Sequence, residues 1–220
     1  MKKLLKTALA VVVLALLAWV VWPARIDPVA WTPGPLPKPE GAYAENSRLK
    51  NVQRFGVGVG VGPEGIAVDT EGRIYAGYAD GRVVMFSANG ASYQQLADTH
   101  GRPLGISVGG SGGPVIADAY KGLLQIEGGT VTPLATEAGG KAILFADDAD
   151  RASDGSLYFS DVSTRFNLRD DLLDVLEHRC TGRLIRYTPV DRKSQVLLDD
   201  LCFANGVAVG PDDAYVLVNE

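Results

Sequence analysis

Hydrophobic positions along this chain fall into two regimes. From Leu4 to Trp22 the chain is apolar without a period, with Lys6 as its one charge. That is long enough for one helix to cross ~30 Å of hydrocarbon. From about Phe55 onward, apolar residues alternate with polar ones in short runs closed by glycine, aspartate or asparagine. This is the period of half-buried β-strands. The pattern recurs in the segments that begin "EGIAVD" at Glu64, "LGISV" at Leu104, "DDADR" at Asp147 and "NGVAV" at Asn205. Repeats of roughly 40–50 residues with about four short strands each predict a β-propeller.

The first unit predicts strands over 65–69, 73–79, 81–87 and 92–98, with Asp80-Gly81 as a hairpin turn. The second predicts 105–110, 114–120, 122–128 and 130–136, and the third 156–162, 182–188 and 194–200. The fourth supplies 205–210 and 214–220. Three and a half blades leave apolar faces and strand edges uncovered. The all-β expectation is therefore a six-bladed propeller of which this chain carries part, preceded by a transmembrane helix. A short form that closes by oligomerising is the alternative, and the oligomeric state is left open. The insertion 163–181 carries Leu168, Leu172, Val175 and Leu176 at helical spacing, with Asp170, Asp171, Asp174 and Glu177 mostly opposite. It reads either as a lid over one end of the propeller or as a packing decoration.

The amino terminus changes the picture of where the protein works. Lys2, Lys3 and Lys6 flank the apolar run and favour a cytoplasmic amino terminus, while Trp19 and Trp22 suit the far interface. No small-x-small cleavage site follows, so residues 1–22 are expected to be a retained anchor in the cytoplasmic (inner) membrane rather than a cleaved signal. Either reading exports the remainder to the periplasm. Residues 23–54 hold six prolines between Pro23 and Pro39 and predict an extended stalk, with the partial propeller over 55–220. A net charge of −5 offers no basic face for nucleic acid.

The residues opening each unit should face the central channel. They are Glu64, Leu104, the pair Asp147-Asp148, and Asn205. Carboxylates and an amide oxygen on one axis are ligands that calcium prefers. Taken singly, each also reads as ordinary turn chemistry. "GVGPEG" at Gly60–Gly65 matches a dinucleotide fingerprint without the helix it needs. "GGSGG" at 109–113 lacks the helix of a nucleophile elbow, so Ser111 is expected in a hairpin turn. His100 and His178 read as surface or capping residues. Cys180 and Cys202 fall opposite each other if the hairpin 182–188/194–200 pairs positions summing to 382. That register makes them disulfide candidates, with two buried thiols as the alternative.

The segments "GPEGIAVD", "GRPLGISV", "FADDAD", "DGSLYFSDVSTRF", "FANGV" and "YVLVNE" resemble the strictosidine synthase-like family. They also resemble the wider group of gluconolactonases and paraoxonases. The resemblance implies a six-bladed, calcium-binding propeller acting on a small-molecule substrate, with Glu64 and Asn205 as metal ligands. It puts Asp147 and Asp148 where gluconolactonases have an Asn-Asp pair near metal and substrate. Paraoxonases carry a histidine before a "GIS" strand, and Leu104 stands there instead, so their base is missing. The catalytic base is unassigned, since the glutamate of strictosidine synthases comes from a later blade. The span to Glu220 alone is expected to be inactive. The implied activity is hydrolysis of a lactone or ester. A carbon–carbon bond-forming lyase and a non-catalytic binding propeller are the alternatives.

Overall fold

The computed structural model describes residues 2–110 and 112–220. Ser111, expected in a turn, lies outside them. Helix α1 spans Lys2–Val20, and the window Lys3–Val20 has a mean hydropathy of 2.1, apolar and long enough to cross a membrane.

Sixteen strands follow among the described residues, mostly where alternation predicts them. The first sheet runs β1 (Ile66–Val68), β2 (Ile74–Gly77), β3 (Arg82–Phe86) and β4 (Tyr93–Asp98). The second runs β5 (Pro103–Ser107), β6 (Val115–Asp118), β7 (Gly122–Glu127) and β8 (Thr130–Ala135). A short ladder, β9 (Glu137–Ala138) with β10 (Lys141–Ala142), leads to the third sheet. That sheet is β11 (Ala146–Arg151), β12 (Leu157–Asp161), β13 (Gly182–Thr188) and β14 (Lys193–Leu201). A two-stranded sheet, β15 (Val207–Val209) with β16 (Val216–Val218), completes the chain. Each four-stranded sheet is an antiparallel meander in sequence order.

The strand β11 stands where the third unit was expected to open at Asp147, but the sequence expectation gave it no range. Its residues, Ala-Asp-Asp-Ala-Asp-Arg, carry too many carboxylates to read as a strand, and a bulge between Ala146 and Ala149 breaks its period. The hairpin β13–β14 also departs from its expected register. Leu184 pairs with Leu198, but two bulges move Gly182 to Leu201 and Ile185 to Val196. A single sum of 382 therefore holds at one pair only.

First strands of successive sheets lie side by side in the order β1, β5, β11, β15. Their closeness depends on glycine. A Cβ on Gly65 would collide with the Leu104 carbonyl, and one on Gly105 would sit 2.5 Å from the Asp148 Cα. The Gly65 amide donates to the Leu104 carbonyl at 3.0 Å. Between sheets the core is apolar. Tyr75, Val83, Ile106, Ile116 and Leu124 pack the first sheet on the second, and Val115, Leu123, Ala149, Phe159 and Ile185 pack the second on the third. The facing surfaces of the first three sheets are thus buried against one another, as in other stacked-repeat architectures.

Candidate functional site

The loops entering β1, β5, β11 and β15 converge at one end of the sheets. Glu64, Leu104, Asp147, Asp148 and Asn205 line a single pocket of about 260 Å³ there. A larger cavity of about 600 Å³ lies at the opposite end, between the second and third sheets beside Arg151. It contains none of these residues.

Asp147 is buried, at 5% exposure, and no donor among the described residues hydrogen-bonds its carboxylate. Its pKa is pushed from 3.8 to about 7 by burial, then by the negative charges of Glu64 and Asp148, against the pull of Arg102. Glu64 is half exposed, and its Oε2 lies 3.4 Å from Arg102 Nη2. Arg102 was not legible as a site residue, because nothing in its spacing reveals that it reaches back to a glutamate 38 positions earlier. Its Nη1 is buried without a partner among the described residues.

Asp148 is already engaged. Its Oδ2 accepts from the Val207 amide at 2.8 Å and its Oδ1 from the Ala149 amide at 2.9 Å. Burial raises its pKa and these amides oppose the rise. Asp150, two residues on and therefore on the same face of β11, accepts from the Val209 amide at 2.8 Å. The two side chains thus tie β15 to the third sheet, and Asp148 forms one wall of the pocket. The Asn205 backbone is fixed by a 3.0 Å bond from its amide to the Asn219 carbonyl.

A buried ion pair supports the loop that delivers Asp147. Asp161 and Arg183 are 0% and 4% exposed at their side chains and are bonded to each other. Asp161 also accepts from the Phe145 amide at 3.0 Å. Arg183 donates to the Ala138 carbonyl at 2.8 Å and the Ala142 carbonyl at 3.0 Å.

The insertion rises from the same end, since β12 finishes at Asp161, paired with Ala146. A short 3-10 turn (Leu168–Asp170) precedes helix α2 (Asp171–Glu177), and Leu168 packs on the cluster of Leu104, Phe145 and Val162. His178 caps α2 in a left-handed conformation, its amide 2.9 Å from the Asp174 carbonyl. His100 is exposed and turns beside Asp98. Cys180 and Cys202 are joined as a disulfide, linking the foot of the insertion to the loop that carries Asn205. His178, Cys180 and Cys202 are the one trio of metal-binding side chains within 4.8 Å among the described residues, but both sulfurs are spent on each other. Glu64, Asp147 and Asp148 do not gather that closely.

Around this pocket the donors are of the type a hard cation takes, although Glu64, Asp147 and Asp148 stand wider apart than 4.8 Å. The set is all oxygen, it includes a buried carboxylate with no donor, and it surrounds an open space. Arg102 is the positive charge that a cation would have to displace from Glu64 or share it with.

Two family descriptions match the chain: "Strictosidine synthase" over residues 147–220 and "Strictosidine synthase-like, N-terminal" over 41–86. Strictosidine synthase-like 6 of Arabidopsis thaliana is 42% identical over 179 residues, covering 78% of this chain and 48% of that protein. The human adipocyte plasma membrane-associated protein is 36% identical over 197 residues, covering 82% and 47%. Among solved structures, a gluconolactonase from Xanthomonas campestris superposes with a TM-score of 0.60 at 21% identity, covering 72% of this chain and 54% of that one. At that identity the likeness is one of fold, and it aligns the sheets described above with part of a propeller. The chain spans about half the length of the curated relatives it matches. It belongs to the strictosidine synthase-like family.

Proposed function

We propose that the protein is a membrane-anchored, calcium-dependent hydrolase of lactone or ester substrates, with its sheets outside the cytoplasmic membrane. The observation that carries this reading is the buried, donor-free carboxylate of Asp147 facing the same pocket as Glu64 and Asn205. Glu64, Asn205 and Asp147 would hold the ion, which when bound supplies Lewis acidity toward a carbonyl oxygen. Asp148 and its two backbone donors fix the pocket wall. Leu104 is buried among Ala119, Phe145 and Val162 and offers no proton acceptor at its position. The base that activates water lies outside the residues assigned here. We further propose that additional sheets bring the ring to six blades and cover Ile66 and Val68 of β1 and Leu217 of β16, which are more than half exposed.

The experiment is calorimetric titration of the full-length protein with calcium, followed by turnover of aryl esters and lactones. Micromolar or tighter binding with calcium-dependent turnover supports the reading. Absence of both removes it. Calcium binding without turnover of either ester class favours a ligand-binding propeller instead.

A further inference from the structure

Helix α2 is turned inside out relative to its sequence pattern. Asp174 and Glu177 are buried at 9% and 1% exposure, whereas Leu172, Val175 and Leu176 are 70%, 53% and 62% exposed. An amphipathic helix on a soluble surface does the opposite, and clustered exposed apolar side chains mark a contact surface. Leu172 and Leu176 are one turn apart, with Val175 beside them, so the three form one stripe.

A strap from the amino-terminal stretch is docked against this acidic side. Glu177 pairs with Arg165 at 2.9 Å and accepts from the Asp27 amide at 2.8 Å. The Val29 amide donates to the Glu177 carbonyl at 2.9 Å. Arg25 meets Asp170 at 2.6 Å, and Arg179 grips Asp27 through both its carbonyl and its carboxylate. The Trp31 ring, itself largely exposed, stands 5.1 Å from that of His178. Residues 25–31, expected as part of a free stalk, are therefore docked on the insertion.

This strap begins five residues after α1 ends. At ~3.5 Å per residue, the chain from Val20 to Arg25 reaches at most ~18 Å, and the headgroup layer itself takes up ~5–7 Å of that distance. The short reach holds α2 near the surface that α1 crosses, and α2 stands at the carboxylate end of the sheets.

We propose that Val29, Trp31, Leu172, Val175 and Leu176 form a membrane-contact face. It presses the Glu64–Asp147–Asn205 end of the molecule onto the bilayer, so that the pocket takes amphiphilic ligands from the lipid phase. The proposal rests on α1 being a retained anchor. Pairing of Asp170 and Glu177 with arginines removes much of the repulsion that bare acids would feel at an anionic surface.

The test places an environment-sensitive nitrobenzoxadiazole label on Leu172→Cys, Leu176→Cys and Val190→Cys in the full-length protein. Val190 is 94% exposed in the β13–β14 turn, at the far end of the sheets, and serves as the control. In phosphatidylcholine/phosphatidylglycerol proteoliposomes the labels at 172 and 176 should emit to the blue. Headgroup-proximal spin-labelled lipid should quench them several-fold more than the label at 190. Equal quenching at all three sites, in protein that resists alkaline extraction, overturns the membrane face and leaves the anchor intact. Release by alkaline extraction overturns the anchor and the proposal with it. Blue emission at 172 and 176 that persists in lipid-free protein beginning at residue 23 shows that other protein covers the stripe, and also overturns it.

Discussion

Asp147 is a carboxylate that the fold holds at a cost. Between its ordinary pKa of 3.8 and its raised value of about 7, the folded, metal-free protein binds a proton that the unfolded chain releases. Stability from this group is therefore complete at low pH and is lost as pH rises through about 7. Metal-free protein should melt at a lower temperature at pH 8 than at pH 6, and Asp147→Asn should flatten that slope. Calcium should reverse the trend, since it favours the ionised form. Thermal unfolding with chelator and with calcium at both pH values checks all three outcomes. Calcium affinity of Asp147→Asn should fall at least ~10-fold, the cost of about 1.4 kcal/mol of lost interaction. The Asp161–Arg183 pair is the opposite case, an ion pair whose members satisfy each other. Arg183→Met strands a buried negative charge and should cost ~3–5 kcal/mol, read from urea denaturation. Asp161→Leu combined with Arg183→Met should recover a large part of that loss. Residues of this kind were half legible. Glu64, Asp147 and Asn205 could be picked out because each opens a repeat. Arg102 and Arg183 could not, because an arginine's reach is set by tertiary packing and leaves no local signature.

Among the elements, alternation predicted most strands to within a few residues, since apolar residues at every second position have one way to bury a face. It marked where β11 opens but gave it no range, because its alternating residues are carboxylates bonded to the backbone of the next sheet instead of being solvated. That role carries its own prediction. Asp150→Ala should remove a charge-assisted bond worth ~1.5–3 kcal/mol and loosen β15. Hydrogen exchange at the Val207 and Val209 amides should accelerate at least tenfold while the β6 and β7 amides stay protected. Helix α2 shows a second limit of sequence patterning. The period of its apolar stripe was visible, but spacing along the chain gives the stripe and not the side it faces. Glu177 points inward because Arg165 and the Asp27 amide offer it better partners than water does. The strap was invisible because a proline-rich stretch carries no periodicity to read.

At the scale of the whole molecule, three sheets pack face to face while β1 and the β15–β16 hairpin turn apolar residues outward. Residues 23–220 produced alone should bind a hydrophobic dye and self-associate, and full-length protein lacking only residues 1–22 should do neither. Comparable dye binding by both would count against closure by further blades. The same scale gives the link between Cys180 and Cys202 a meaning beyond stability. A cross-link over a separation of 22 residues restricts the unfolded chain by about 3 kcal/mol. It also ties the strap-bearing insertion to the loop of Asn205, so the proposed membrane face and the proposed ion site would share one covalent joint. Reduction should weaken calcium binding and lipid contact together, while the β-sheet circular dichroism persists. Thiols are kept reduced in the cytosol and pair after export. On the proposed export, the bridge would close only after the chain has crossed the membrane, its oxidation acting as a timer that holds cytosolic copies unjoined.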